Sequence, residues 1–267
     1  MKKYISFFRL RLSMGLQYRT AAVAAMTTQF FWGFMEIMVF HAFYKADPAA
    51  YPMTMEATAA YVWLQQAFLA LFGAWMFEGE IFDTIINGNL AYELCRPIRI
   101  YGMWFSRSVA LRLSRALLRC VPILLVAALL PKGYGLGLPA SPLAFFLFLI
   151  TLFMGLGVIV ALNMLVYAIS LYTVSADGLR ILFCSLVEFF SGQVIPFPFF
   201  PERMQRILEW NPFASMGNVP FRIYSGNLSG QEMSKAIMIQ AFWLVILIIS
   251  GMLLCNRGEK KAIIQGG

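Results

Sequence analysis

Six mainly apolar stretches, each about as long as the helix needed to cross a hydrocarbon layer, alternate with short polar segments along this chain. The layer is about 30 Å thick and a helix rises about 1.5 Å per residue, so about 20 residues make one span. The stretches run over 21–44, 57–77, 109–130, 143–171, 179–200 and 236–255, the fifth broken near Gly192 and Pro196. Of the 267 residues 60% are hydrophobic and only 13% charged, an apolar excess that a core of this size has no room to hide. The reading is an all-α integral membrane protein of six transmembrane helices.

Residues 2–19 set Lys2, Ser6, Arg9, Ser13 and Gln17 on one helical face and Ile5, Phe8, Leu12 and Leu16 on the other. That period predicts an amphipathic helix lying in the membrane interface, so 1–20 is read as an interfacial helix and 21–267 as the transmembrane domain. Arg9, Arg11 and Arg19 interrupt the apolar start, and no small-residue cleavage site follows, so a signal peptide is not expected. The net charge of +8 sits at the ends of apolar runs. Membrane lipid headgroups, and not nucleic acid, are the partner this distribution suits. Fifteen of the 21 Lys and Arg residues fall on the side of the N-terminus, which predicts that both termini are cytoplasmic. Arg112, Arg115 and Arg119, at the entry to the third span, are expected to reach the headgroups on their long stems. Cys95, Cys120, Cys184 and Cys255 lack metal-ligand spacing, and no disulfide is expected.

An enzyme or a primary pump needs a chemical constellation that is missing from this sequence. It has no GxxxxGK[ST] phosphate loop, HExxH or CxxC, and His41 is its sole histidine. No catalytic residue, metal site or cofactor is assigned. The run Leu228-Ser229-Gly230-Gln231-Glu232 imitates an ATPase signature loop, but reads as a turn into the last span. Glu36 and Glu188 are the carboxylates expected deepest in the bilayer, where an acid is costly unless neutral, paired or wetted. With Gln193 and Pro196 they are the candidates for a translocation path or gate; packing hydrogen bonds inside the bundle are the plainer alternative. Asn163 reads as interhelical glue, and Gly157 with Ala161 as a small-xxx-small contact.

The loop after the second span is the most informative segment. Between Asp83 and Arg107 the chain spends far more than the roughly 2–8 residues that join neighbouring helices. Asn87-Gly88-Asn89 predicts a turn, Leu90 to Cys95 a short helix, and Arg96-Pro97 its stop. Leu90, Tyr92 and Leu94 among charges of both signs suit docking onto a protein.

Gly88, Leu90, Ala91, Leu94, Arg96, Pro97 and Ile98 fit a G-x-L-A-x-x-L-x-R-P-I stretch, and Pro196, Pro198, Pro201 and Asn211-Pro212-Phe213 form a proline-rich outer run. In both, and in its six-span layout, the chain resembles the permease subunits of type-2 ABC exporters. The resemblance implies a cytoplasmic coupling helix built from Asn87, Gly88, Leu90, Tyr92, Glu93, Leu94, Arg96 and Pro97, and a re-entrant outer segment before the last helix. It implies a cell (inner) membrane location, a dimer with an identical or paralogous permease, and a separate cytoplasmic ABC ATPase that holds the ATP and magnesium. A membrane-embedded lipid-modifying enzyme using Glu36, Glu188 or the cytoplasmic acids Glu78, Glu80 and Asp83 with a metal, or an ion-gradient-driven carrier using Glu36 or Glu188, are the alternatives from other classes.

Overall fold

The computed structural model describes residues 2–173 and 176–260. It is 75% helix, with no strand among the described residues. Lys261, one of the cations behind the predicted orientation, lies outside them.

Helix α1 (Lys2–Gly15) precedes α2 (Arg19–Ala46). Next come α3 (Met55–Ala67) and the single turn α4 (Leu69–Phe72), then α5 (Gly79–Ile86) and α6 (Leu90–Leu94). The long α7 (Ile100–Leu129) and α8 (Pro142–Ser170) follow, then α9 (Ala176–Phe190). A 3-10 turn at Phe197–Phe199, α10 (Glu202–Leu208), α11 (Asn218–Tyr224) and α12 (Gly230–Glu259) complete the chain. Three helices, α2, α8 and α12, are long and apolar enough to cross a membrane. Of the remaining predicted spans, α7 has the length but carries four arginines, and α9 ends at Phe190, short of the Gly192 and Pro196 break.

The second predicted span, 57–77, is corrected by the structure. Its helix is interrupted at Phe68 and ends at Phe72, and 73–78 is not helical. Thr54 caps its start by accepting from the amide of Ala57 at 3.1 Å. Ser141 does the same for α8 by accepting from Ala144 at 3.0 Å, with Pro142 where its missing amide hydrogen costs nothing.

The core forms around α8, whose residues from Val158 to Met164 are all buried. Trp104, Phe72, Phe77 and Phe82 pack beside it, the last two and Trp104 around its Tyr167, and a second cluster joins α2 and α3 to α7 through Ile37, Trp63 and Ile123. Close approach of α8 and α12 depends on Gly157, where a Cβ would come within 2.7 Å of Leu244. Apolar side chains also cover the outside of the bundle: Phe31 and Met38 on α2, Ile181 and Phe189 on α9, Phe242 and Val245 on α12 are exposed. Such a surface suits lipid or another chain, not water.

Helix α1 runs along the first half of α7, with Tyr4 against Gly102 and Gly15 against Ser114. Arg11 on α1 reaches Glu80 on α5 at 3.5 Å, and Glu80 is also paired with Arg107 on α7. Burial at this junction pushes the Glu80 carboxyl up, but the Arg107 and Arg11 guanidiniums outweigh it and hold the group below the usual carboxylate range. A carboxylate so depressed contributes stability that is complete above its unfolded value, about 4.3, and is lost as pH falls through its folded value. Glu80 is 65% exposed, so the contribution is below about 1 kcal/mol. Limited proteolysis of the α1–α2 connection should accelerate as pH drops below about 4, and Glu80→Gln should show the faster rate already at neutral pH.

Candidate coupling and gating site

Ending a helix inside a membrane protein leaves carbonyl groups without partners, and each needs a donor. The break after α4 obtains its donors from distant parts of the chain. Arg112, fully buried on α7, donates to the carbonyls of Leu71 at 2.6 Å, Gly73 at 3.1 Å and Met76 at 3.0 Å. Asn163 on α8 donates to Met76 O at 3.3 Å, and the Tyr167 hydroxyl accepts from the amide of Glu78 at 2.7 Å. Arg112 therefore does not reach toward headgroups as its sequence context suggests; its cation sits at the negative end of a broken helix. Glu78, in turn, pairs with Arg107 at 3.2 Å.

The same break is held from a second side. Gln193 donates through Nε2 to Phe72 O at 2.9 Å, and its own carbonyl accepts from Gln65 of α3. Next to it, Gly192 has φ of 78°, and a Cβ there would meet Phe197 at 2.8 Å, so the turn after α9 requires glycine. The hydroxyl of Tyr61 donates to Gly192 O at 3.3 Å and lies 3.4 Å from Asn218 Oδ1 on α11. Pro196 is buried, and opens the 3-10 turn. Gln193 thus joins the end of α9 to the broken helix, and Pro196 starts the turn that follows. The small cleft among Tyr61, Gln65, Ser191, Gln193 and Asn218 has a volume of about 10 Å³, room for roughly one water.

The two deep carboxylates are not brought together. Glu36 accepts from Gln66 Nε2 at 3.1 Å, and Gln29 donates to Gln66 O at 2.9 Å, so this trio ties α2 to α3. Glu188 is exposed on α9 among Leu186 and Phe189, and has no hydrogen-bond or ion-pair partner among the described residues. Its environment is whatever covers that face of the chain.

At the other end of the break, α5 and α6 form an elbow around Gly88, whose φ is 68°. Leu90 is buried beneath it, and Glu93 accepts from Trp104 Nε1 at 2.5 Å. Glu93 is only 8% exposed, and its carboxylate fastens the elbow to α7. The outward face holds Ile86, Tyr92 and Leu94, with Asn87, Arg96 and Pro97 around them, and Tyr92 is 75% exposed. Of the contributors to this site, Arg112, Gln65 and Tyr167 were not singled out as site residues from sequence; the signal for Arg112 was an arginine several turns inside an apolar helix.

The buried helix break is thus joined through Glu78 to the α5–α6 side and through Phe72 and Gln193 to the turn after α9. The sequence model of ABC-2 family transporter proteins matches residues 30–266. The chain belongs to the ABC-2 transporter family. No curated protein matches it. Membership makes it a transport component of a membrane, in a family of permeases that typically pair with an ATP-binding subunit.

Proposed function

We propose that this ABC-2 protein is the permease subunit of an ATP-driven exporter, forming the translocation path as a dimer in a six-span, cell-membrane arrangement with both termini cytoplasmic. A separate ABC ATPase docks on the α5–α6 elbow and supplies the energy. One observation carries the reading: Ile86, Tyr92 and Leu94 are held outward on a support that Glu93, Trp104 and Leu90 fix from beneath. An apolar patch on a rigid base inside an otherwise charged loop is what a protein partner needs.

Movement of the elbow passes to α5 and to Glu78, whose partners Arg107 and Tyr167 sit on α7 and α8. From there it reaches the break at 73–78, and through Phe72 and Gln193 the turn after α9. Asn87, Arg96 and Pro97 frame the docking surface, whereas Gln193 and Pro196 belong to the gate, with Glu188 on the side that faces a second permease. Of the acids on which a lipid-modifying enzyme would rely, Glu78 and Glu80 are engaged by arginines and Glu36 by Gln66.

Co-expression with a candidate cytoplasmic ABC ATPase tests the assignment. The two subunits should purify together from detergent, and ATP hydrolysis should appear in that complex and not in this chain alone. Hydrolysis or transport by the purified chain without a partner would overturn the assignment.

A further inference from the structure

At the elbow end of the bundle a cavity of about 430 Å³ opens between α1, α2 and α7, with Arg11, Arg107, Arg115 and Arg119 among its walls. Glu78 and Glu80 line it too, but they are engaged by Arg107 and Arg11. Arg115 and Arg119 have no carboxylate within ion-pair distance among the described residues. Arg115 meets only the sulfur of Met76, at 3.0 Å, and the buried Nε of Arg119 has no hydrogen-bond partner. Two cations half-withdrawn from water without counter-charge are costly, and an anion between them removes that cost.

Arg119 also lines a second cavity, of about 470 Å³, walled by Leu69, Trp32 and Trp75. Cationic donors therefore lead into an apolar trough, and Tyr18 stands at the polar end, where a ring with a hydroxyl tip suits a headgroup level. A free phosphate or an acidic peptide has no use for the apolar part. We infer that the two cavities form one binding site for an anionic phospholipid, with the phosphate between Arg115 and Arg119 and an acyl chain against Trp32 and Trp75. Guanidinium forks grip a phosphate through charge-assisted bonds, and the chain's own residues supply both halves of an amphipathic ligand's surroundings. The inference stands apart from the proposed docking of an ATPase, since neither cavity includes the elbow's outward residues.

The full-length chain in nanodiscs tests it with lipids brominated on the acyl chain, which quench nearby tryptophan. At equal mole fraction, brominated phosphatidylglycerol should quench more strongly than brominated phosphatidylcholine, and Trp32→Phe/Trp75→Phe should abolish that difference. Arg115→Gln/Arg119→Gln should weaken the preference about tenfold, the loss of one or two charge-assisted contacts. Arg115→Lys/Arg119→Lys should retain most of it, and Arg9→Gln, on an exposed cation, should leave it unchanged. Equal quenching by the two lipids in the wild type would overturn the site. So would inorganic phosphate that competes with phosphatidylglycerol in detergent as well as a short-chain anionic phospholipid does, because the anion alone would then suffice. Should the double Gln variant fail to fold, the wild-type lipid comparison, the tryptophan variant and the phosphate competition still decide.

Discussion

Replacing Arg112 with methionine should lower the thermal midpoint of the purified protein by roughly 5 °C. Methionine fills a similar length and removes a buried charge, which by itself is favourable. Against that stand three carbonyls, of Leu71, Gly73 and Met76, that lose their charged donor. Each orphaned buried acceptor costs about 1–3 kcal/mol; Met76 keeps Asn163 as a donor and Gly73 keeps the amide of Met76 at 3.2 Å, so Leu71 alone is orphaned and the net loss is about 1–3 kcal/mol. That is still a sizeable part of the roughly 5–15 kcal/mol that holds a typical domain together. Arg112→Lys keeps the charge but gives up the planar fork that spans carbonyls on both sides of Gly73, so an intermediate loss is expected. Arg206→Ala, at an exposed pair 3.9 Å from Glu202, should stay within about 0.5 kcal/mol of wild type. Differential scanning fluorimetry in one detergent compares all three. A midpoint for Arg112→Met equal to that of Arg206→Ala would mean that the break does not depend on its arginine.

Tyr92→Ala should weaken ATPase binding about 30-fold while leaving the thermal midpoint of the isolated permease unchanged. The side chain is largely exposed and makes no hydrogen bond within the described residues, so its removal costs the fold little. In a docked complex it would be a central aromatic anchor, and truncating such a residue costs about 2 kcal/mol or more, roughly a 30-fold weaker complex. Glu93→Ala separates the two roles one residue away. It removes the 2.5 Å bond to Trp104 Nε1, and should lower both the midpoint and the binding because the elbow loses its support. Size-exclusion chromatography with the partner ATPase reads binding, and thermal unfolding reads the fold. Equal binding by wild type and Tyr92→Ala would remove the elbow from the coupling route.

What the sequence disclosed was local. Long apolar runs became α2, α8 and α12; Ser141-Pro142 starts α8; Asn87-Gly88 turns the elbow; and Gly192 with Pro196 ends α9. Each of these is decided by residues within a few positions of one another. The break after Phe72 was hidden because Leu69 to Phe77 reads as uninterrupted apolar helix, and the groups that stabilise its end lie far along the chain, at Arg112, Asn163, Tyr167 and Gln193. The bond that anchors Glu93 was hidden for the same reason, since Trp104 lies on the next long helix. Gln193 and Pro196 stood out in sequence because a helix-breaking glycine marks their neighbourhood. Glu36 and Glu188 were picked by depth alone, and depth does not reveal that one is bonded to Gln66 and the other is turned outward.

The claim on which the rest depends is that a motor made by another chain engages the elbow. A photo-crosslinking amino acid placed at position 92, in cells that express the full transporter, addresses it most directly. The account predicts one covalent product that joins this chain to a nucleotide-binding ABC subunit, absent when the same probe stands at Leu138, an exposed site on the connection between α7 and α8. A probe at 92 that labels only lipid or this chain, in cells where the transporter is active, would contradict it.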